Sequence, residues 1–118
     1  MRDETGEPAI TMCDDVAIVT VSGELDFARC VKLAPELNAA LGSRARAIII
    51  DLEAVSLVDS SGIALLLNAF RSLDQTGRQL AIACPMGSPR RAFEVTALDR
   101  HLPIHETRRD ALAAIGVS

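Results

Sequence analysis

The sequence predicts one α/β domain in which helices pack on a mixed β-sheet, with the element order ββαβαβαβα. Three observations carry this prediction. Short aliphatic and β-branched runs alternate with segments whose apolar residues recur at helical spacing. The near-continuous aliphatic run at residues 47–52 (AIIIDL) is typical of a central strand buried on both faces. The length of 118 residues fits a single domain with a real hydrophobic core.

The first half of the chain predicts a loose arm, a hairpin, a helix and the central strand. The arm covers residues 1–8, and the domain follows at residues 9–117. Strands are predicted at residues 9–12 and 16–22, before G-E-L-D at 23–26 breaks the pattern. A helix at residues 28–41 follows, with Gly42 as its C-cap. Its inward positions are Cys30, Leu33, Leu37 and Leu41.

The second half predicts three helices and two strands. The first of these helices ends at Gly77 and is followed by a strand at residues 80–84. Its inward positions are Ile63, Leu66, Leu67, Phe70 and Leu73. Ser88 is expected to cap the next helix, with Pro89 at its first position and Phe93 and Ala97 facing the core. A short edge strand at residues 103–105 precedes a last helix, which Thr107 caps and Gly116 closes after Ile115.

Composition and charge argue against nucleic-acid and membrane partners. With no Trp, no Tyr and three Phe, the chain lacks the aromatic side chains on which single-stranded nucleic acid stacks. Its net charge of −4 disfavours a surface that follows phosphates. The charged N-terminal stretch MRDETGEP is unlike a signal peptide, and each aliphatic run is shorter than the ~20 residues of a membrane helix. We expect a soluble, cytoplasmic protein whose cysteines are reduced thiols.

The sequence lacks the motifs of common enzymes, cofactor sites and metal sites. Neither a G-x-x-x-x-G-K phosphate loop nor a G-x-G-x-x-G turn after a strand is present. Pro103 separates His101 from His105, so the two cannot share a regular helix face as metal ligands. A serine hydrolase would need a G-x-S-x-G elbow, whereas here the glycine follows Ser61. We expect no enzymatic activity, no cofactor and no metal site.

The stretch LVDSSGIALLL, residues 57–67, places three small polar residues between a strand and a helix. One interpretation is capping, in which Asp59 or Ser60 accepts a hydrogen bond from an early helix N–H. A cap needs only one such residue, however. The stretch also brings the serines to the carboxyl end of the central strand, where ligands and partners meet open α/β sheets. Free N–H groups at the helix start would hold a phosphate there, so the site suits a phosphoserine.

Two other features have both a structural and a functional interpretation. Asp26 lies where a strand leaves the sheet, and aspartate is a preferred residue for capping the next helix. Arg90 and Arg91 begin the third predicted helix. They are either solvated side chains or a salt-bridging contact to an acidic partner.

Several motifs resemble the signature of bacterial anti-sigma-factor antagonists, which belong to the STAS domain family shared with sulphate-transporter tails. These motifs are I-I-D-L-E at residues 49–53 with V-D-S-S-G at 58–62, G-E-L-D at 23–26, and S-P at 88–89 with Phe93 behind it. D-S-S-G alone would be weak, but its combination with G-E-L-D is fairly specific. The resemblance extends over about residues 9–117, in the same element order.

The resemblance implies regulated binding to a protein partner. Antagonists of this kind bind an anti-sigma factor that is also an ATP-dependent serine kinase, and the sigma factor is displaced. The kinase phosphorylates the first serine after the aspartate, which is Ser60 here, and the antagonist lets go until a serine phosphatase resets it. By the same resemblance, Asp26 lies beside this serine and takes part in binding or phosphorylation. The resemblance also implies that Asp59 and Ser61 shape the loop, and that Ser61 with Gly62 lets the helix start beside Ser60.

Other functions remain compatible with the sequence. A scaffold subunit of a larger signalling assembly could use the same domain, and would form a large particle. A small-molecule or lipid carrier would need an internal cavity, which tightly packed aliphatic side chains disfavour. The motifs favour a regulatory binding protein that is not itself an enzyme.

Overall fold

The computed structural model describes residues 9–116, and of Ser88 only the backbone. The arm expected over residues 1–8 lies outside the described residues, as do residues 117 and 118. The strands and helices follow the predicted order, with a short 3₁₀ turn, Leu98–Arg100, after the third helix. Their bounds are β1 (Ala9–Cys13), β2 (Val16–Leu25), α1 (Phe27–Leu41), β3 (Ala47–Val58), α2 (Ser60–Gln75), β4 (Gln79–Ala83), α3 (Ser88–Val95), β5 (Ile104–His105) and α4 (Arg108–Ile115).

The strands of the described part form one mixed sheet in the order β1-β2-β3-β4-β5. β1 and β2 form an antiparallel hairpin in which Cys13 lies opposite Val16. Every later pair of neighbours is parallel. Parallel neighbours need crossover connections, and helices supply them here. The predicted mixed sheet with helices packed on it is therefore confirmed.

β3 runs six residues further than the run that predicted it, from Leu52 to Val58. Its first six residues are all buried, whereas Glu53 and Ala54 are exposed. β4 pairs with β3 only as far as Asp51, so the second half of β3 has β2 as its strand neighbour. Polar residues are tolerated in this half because it is not covered on both sides.

β2 also runs further than predicted, to Leu25 instead of Ser22. Its pairing with β3 shifts register before Ser22 and again between Gly23 and Glu24. Gly23 has a φ of +81°, which favours glycine. The break predicted at G-E-L-D is therefore an irregularity within the strand, of the kind that bulges introduce.

Apolar side chains fill both faces of the sheet. The larger cluster lies between the sheet and α1, α2 and α3, and it includes the fully buried Leu33, Leu66 and Phe93. The smaller cluster lies under α4, whose Ala111 and Ile115 pack on β2, β3 and β4. Each buried Leu or Phe side chain contributes roughly 1.5–3 kcal/mol of hydrophobic stabilisation. Packing on both faces thus fixes the ends of β2 and β3 in space.

A charged network fastens the start of α4 to the sheet. Asp51, 5% exposed, is the buried charged residue of the described part of the chain. Arg108 Nε donates to Asp51 at 2.7 Å, and its Nη2 donates to Thr20 Oγ1 at 2.8 Å. The Arg108 backbone N–H donates to the Glu53 carboxylate at 2.6 Å. The buried carboxylate is thus paired, as a charge in a low-dielectric interior requires.

The helical patterns of α1 and α2 place most inward residues correctly. Cys30, Leu33 and Leu37 of α1 are buried, but Ala40 fills the last inward position and Leu41 is only half-buried. Gly42 is the C-cap, as predicted. In α2, two of the predicted residues are fully buried and three are half-buried against the core. Those two are Leu66 and Leu73, and those three are Ile63, Leu67 and Phe70. α2 ends at its C-cap Thr76, directly before Gly77.

Three predictions for α3 are wrong. Ser88 is the first residue of the helix, so Pro89 is the second, and Gly87 occupies the cap position with a φ of +132° that glycine accommodates readily. Ala97 is exposed and lies beyond the helix with a φ of +60°, because α3 ends at Val95. Phe93 is fully buried, as predicted.

The C-terminal elements follow the sequence pattern. β5 is one residue shorter than predicted. Thr107 caps α4 by accepting a hydrogen bond from the Asp110 N–H at 3.0 Å, and Gly116 ends it with a φ of +100°. Across residues 9–116, none of the helices is long and apolar enough to cross a membrane.

Candidate functional site

The ends of β2 and β3 bring the two sequence motifs together. Leu25 pairs with Val58 in the parallel register, so the next residues, Asp26 and Asp59, leave adjacent strands side by side. The Asp59 N–H donates to the Leu25 carbonyl at 3.2 Å and ties the two chain segments together. Both aspartates have extended backbone conformations and each is the N-cap of the helix that follows. The arrangement places G-E-L-D beside D-S-S-G.

Asp59, rather than Ser60, caps α2. Its Oδ1 accepts hydrogen bonds from the Ser61 N–H at 2.9 Å and the Gly62 N–H at 3.1 Å. The expectation that free N–H groups would hold a phosphate is therefore wrong for these two amides, because the carboxylate already occupies them. The Ile63 N–H bonds to the Asp59 carbonyl at 3.0 Å, as the first regular helical bond. Few donors of the first turn are left for another anion.

The two serines differ in exposure. Ser60 is the first residue of α2 and is exposed, whereas Ser61 is half-buried. Within the described part of the chain, the Ser60 hydroxyl has no hydrogen-bond partner. Since Asp59 supplies the cap, the Ser60 side chain performs no structural task and is accessible to an approaching protein.

Gly62 allows α2 to start against the end of β2. It is buried, and a Cβ at this position would lie 2.9 Å from both the Cγ and the carbonyl oxygen of Leu25. Real Cβ atoms almost never approach another heavy atom this closely, and the Leu25 carbonyl is a backbone group that cannot move away easily. The glycine of D-S-S-G is thus a packing requirement, which holds Ser60 close to the G-E-L-D strand end.

Asp26 has the capping role that its residue type suggested. Its Oδ1 accepts a hydrogen bond from the Arg29 N–H at 2.9 Å. The Arg29 guanidinium turns back over Gly23 and donates to the Ser22 carbonyl at 3.0 Å. Asp26 is nevertheless half-buried rather than enclosed.

Two carboxylates act on the same thiol at this end of the sheet. Burial, together with the nearby Asp59 and Asp26 carboxylates, raises the pKa of the Cys30 thiol. The Asp59 and Asp26 carboxylates are therefore both close enough to the Cys30 thiol of α1 to disfavour its thiolate form. The thiol stays protonated at neutral pH and is unsuited to nucleophilic chemistry. Cys13, Cys30 and Cys84 are all free thiols, as expected.

A groove of about 420 Å³ adjoins Ser60. It lies between the end of β3, the start of α2 and α3, and we call it the Ser60 groove. Its lining is mostly apolar and comprises Leu57, Val58, Asp59, Ser60, Ile63, Arg91, Ala92, Val95 and Thr96. Sequence reasoning missed this groove because its walls come from three separate elements.

The paired arginines of α3 have different environments. Arg90 Nη1 donates to the Cys84 carbonyl at 2.6 Å, so Arg90 anchors α3 to the end of β4. Arg91 is exposed and lines the Ser60 groove. The interpretation as freely solvated side chains is therefore wrong for Arg90, and contact with an acidic partner stays a prediction.

Exposed apolar side chains occur on α1 after Asp26 and in the Ser60 groove. On α1, Phe27 is 70% exposed and Val31, one turn later, is 58% exposed. On the groove side, Leu57 is 46% and Val95 is 78% exposed. Large apolar side chains left in water around a polar centre are typical of protein–protein interaction surfaces. Sequence analysis did not single out these residues.

The histidines do not form part of this site. His101 is exposed in the turn after α3, and His105 is half-buried in β5. Within residues 9–116, no group of three or more His, Cys, Asp or Glu side chains is arranged to hold a metal ion.

Comparisons with known proteins identify the family. The STAS domain model matches residues 7–111. The anti-sigma F factor antagonist of Paenibacillus polymyxa is 28% identical over 104 residues, which cover 86% of this chain and 88% of the relative. An anti-sigma-B factor antagonist of Staphylococcus aureus is 32% identical over 88 residues, or 75% of this chain and 82% of the relative. The crystal structure of an anti-sigma factor antagonist from Mycobacterium paratuberculosis has a TM-score of 0.86 at 29% identity and covers 92% of each chain. The chain belongs to the STAS domain family, as its G-E-L-D and D-S-S-G motifs predicted.

Proposed function

We propose that this chain is a cytoplasmic anti-sigma-factor antagonist whose binding is controlled at Ser60. It binds an anti-sigma factor that is also a serine kinase, and a sigma factor is released. The kinase joins the Ser60 Oγ to the γ-phosphorus of ATP, the bond to ADP breaks and the hydroxyl proton is lost. The phosphorylated chain then leaves, and a serine phosphatase hydrolyses the ester. The chain is a regulator and not itself an enzyme.

The accessible hydroxyl of Ser60 carries this proposal. Ser60 begins α2, and its hydroxyl makes no hydrogen bond to any described residue, because Asp59 makes both capping bonds. Such a hydroxyl can enter a kinase site without breaking a contact of the fold. Ser61 is a poorer substrate because it is half-buried in the first turn. The names of the relatives, which are anti-sigma factor antagonists, support the class of partner.

The surface around Ser60 supports a protein partner. Asp26 and Ser60 lie at the ends of the adjacent strands β2 and β3, and Phe27 and Val95 are apolar side chains that remain largely in water. Aromatic side chains are enriched at protein interfaces, where they often contribute a large share of the binding energy. A partner that covers both sides would bury this apolar area around the serine.

Phosphorylation should release the partner without unfolding the domain. A phosphoserine adds roughly −1.5 to −2 charge next to the Asp59 and Asp26 carboxylates. The positive end of the α2 dipole offsets part of this by about 0.3–1 kcal/mol, so the fold persists. A partner surface that fits the neutral serine has no such offset. Burying the extra anion there costs on the order of several kcal/mol, and each ~1.4 kcal/mol is tenfold in affinity.

A pull-down from the native cytoplasm, followed by phosphosite mapping, tests the proposal. The unmodified chain and Ser60→Ala should both capture an ATP-binding anti-sigma factor, and Ser60→Ala should resist phosphorylation by it. Ser60→Asp should bind it weakly, and the phosphorylated chain should bind at least roughly a hundredfold more weakly than the unmodified chain. Amide hydrogen exchange of the phosphorylated chain should keep its protection across β3.

Two substitutions serve as controls. Ser61→Ala should leave phosphorylation intact, as should Ser72→Ala on the exposed face of α2. Phosphate confined to Ser61, or an affinity for the kinase that phosphorylation leaves unchanged, would contradict the proposed switch. Loss of protection across β3 would mean that release occurs through unfolding.

A further inference from the structure

Arg91 is an uncommitted cation that shares the Ser60 groove with the serine. Ser60 lies on the α2 side of the groove and Arg91 on the α3 side. In the part of the chain that the structure describes, the Arg91 guanidinium has no hydrogen-bond or salt-bridge partner. The other cations near the site are engaged: Arg90 binds the Cys84 carbonyl, and Arg29 and Lys32 both have partners.

A phosphate on Ser60 would have an incomplete set of partners without Arg91. The Asp59 carboxylate already occupies the Ser61 and Gly62 N–H groups, which are the early helix donors that a phosphate would otherwise use. Asp59 and Asp26 add negative charge at the same end of the sheet. A dianion at Ser60 therefore meets two carboxylates, and Arg91 is the cation that lines its groove.

We propose that Arg91 binds the phosphate on Ser60 and that this ion pair bridges the Ser60 groove. A guanidinium matches phosphate oxygens with parallel N–H donors, so the contact is charge-assisted and can be bidentate. Leu57, Ile63 and Val95 line the rest of the groove with apolar side chains, which offer the phosphate no competing hydrogen-bond donor. Bridging would close the apolar groove to a partner at the moment when the phosphate adds its charge.

The inference rests on the proposed function in one respect, namely that Ser60 is the modified residue. Its test does not need the kinase. Phosphoserine is inserted at position 60 during translation, and the full chain is followed by ³¹P NMR over a pH titration. The second pKa of a phosphoserine is about 6 and falls when a cation contacts the phosphate. The same titration is done with Arg91→Gln, Arg91→Lys and Arg71→Gln.

Arg71 provides a matched control, because it is an exposed arginine that lies about 16 Å along α2 from Ser60. We expect the second pKa of the phosphate to be lower in the unaltered chain than in Arg91→Gln. The difference should be about a few tenths of a pH unit, which is the size typical of an exposed ion pair. Arg91→Lys should restore part of the difference, and Arg71→Gln should match the unaltered chain. Dispersed amide spectra establish that each variant is folded.

Two outcomes would overturn the inference. Either the phosphate titrates identically with and without Arg91, or Arg71→Gln raises its pKa as much as Arg91→Gln, which would indicate long-range charge alone. The result is separable from the proposed function. If a kinase modifies Ser60 but the phosphate titrates independently of Arg91, the ion pair is refuted and the proposed antagonist role is not. If the phosphate contacts Arg91 but no anti-sigma kinase modifies the chain, the proposed role is refuted and the ion pair is not.

Discussion

Replacing Gly62 by alanine should destabilise the domain, because the first turn of α2 lies against the end of β2. The new Cβ would be 2.9 Å from the Leu25 carbonyl oxygen and 2.9 Å from its Cγ. The same carbonyl accepts the hydrogen bond of the Asp59 N–H at 3.2 Å. Moving the helix away to relieve the clash would stretch this bond, so both effects act together.

The expected loss follows from three contributions. Overpacking of a well-filled site costs about 1–3 kcal/mol, and a weakened backbone hydrogen bond adds about 1 kcal/mol. Alanine is favoured over glycine in a helix by about 1 kcal/mol, which opposes them. The net loss for Gly62→Ala is about 2 kcal/mol. For a chain of this length that corresponds to a decrease of roughly 6–12 °C in melting temperature.

Gly42→Ala is the matched control. Gly42 has a φ of −83°, and a Cβ there would approach the Asn38 carbonyl at an ordinary 3.4 Å. Thermal unfolding followed by circular dichroism should leave this variant unchanged or slightly more stable, because alanine restricts the unfolded chain. A Gly62→Ala variant that melts at or above the unaltered chain would refute the close approach of α2 to Leu25.

Three other predictions concern the partner surface and the core. Asp26→Asn should keep its cap and melt within a few degrees of the unaltered chain. Its affinity for the proposed kinase should fall if the charge makes a contact, and unchanged affinity would leave Asp26 with the capping role alone. Phe27→Ala should weaken that binding about tenfold without changing the melting temperature. Met12 is 54% exposed on the edge strand β1, and Met12→Ala should change neither quantity. Equal losses of affinity in the two variants would argue against a binding surface centred on Ser60. Burial raises the pKa of Cys84 from 9.0 to about 11, although Arg90 opposes this shift, so between these values the folded state holds a proton that the unfolded state releases. The free energy of unfolding from urea titrations should therefore fall as pH rises from about 9 to about 11, and a slope that Cys84→Ala leaves unchanged would contradict this.

The sequence predicts the centres of the elements better than their ends. Periodicity is a local property, so the inward positions of α1 and α2 could be assigned without knowing their neighbours. The end of β3 could not, because residues beyond Leu52 remain in the sheet only through pairing with β2. In the same way, Gly87 and Ser88 are both residue types found at helix starts, and only the backbone decides which one occupies the cap position.

The motif residues of the candidate site could be singled out from the sequence, whereas their contacts, the groove and the exposed apolar side chains could not. The D-S-S-G motif indicated a helix start with a surplus hydroxyl, but Asp59 and Ser60 were equally good caps by type. The contact of Gly62 with Leu25 depends on the parallel register of distant segments. Arg90 and Arg91 are indistinguishable in sequence, yet adjacent helical residues point about 100° apart, so that one binds Cys84 and the other lines the groove.

At the start of α2, the residues that stabilise the fold differ from the residue whose hydroxyl is free within residues 9–116. Asp59 supplies the capping bonds and Gly62 supplies the close packing, so substitutions at either position should disturb the fold. Ser60 stands between them with an exposed hydroxyl. Under the proposed function, phosphorylation of Ser60 would change the charge of the surface while the bonds that define the surface stay intact. Such a division of tasks would let one hydroxyl control the proposed binding, because its modification would not also destabilise the fold.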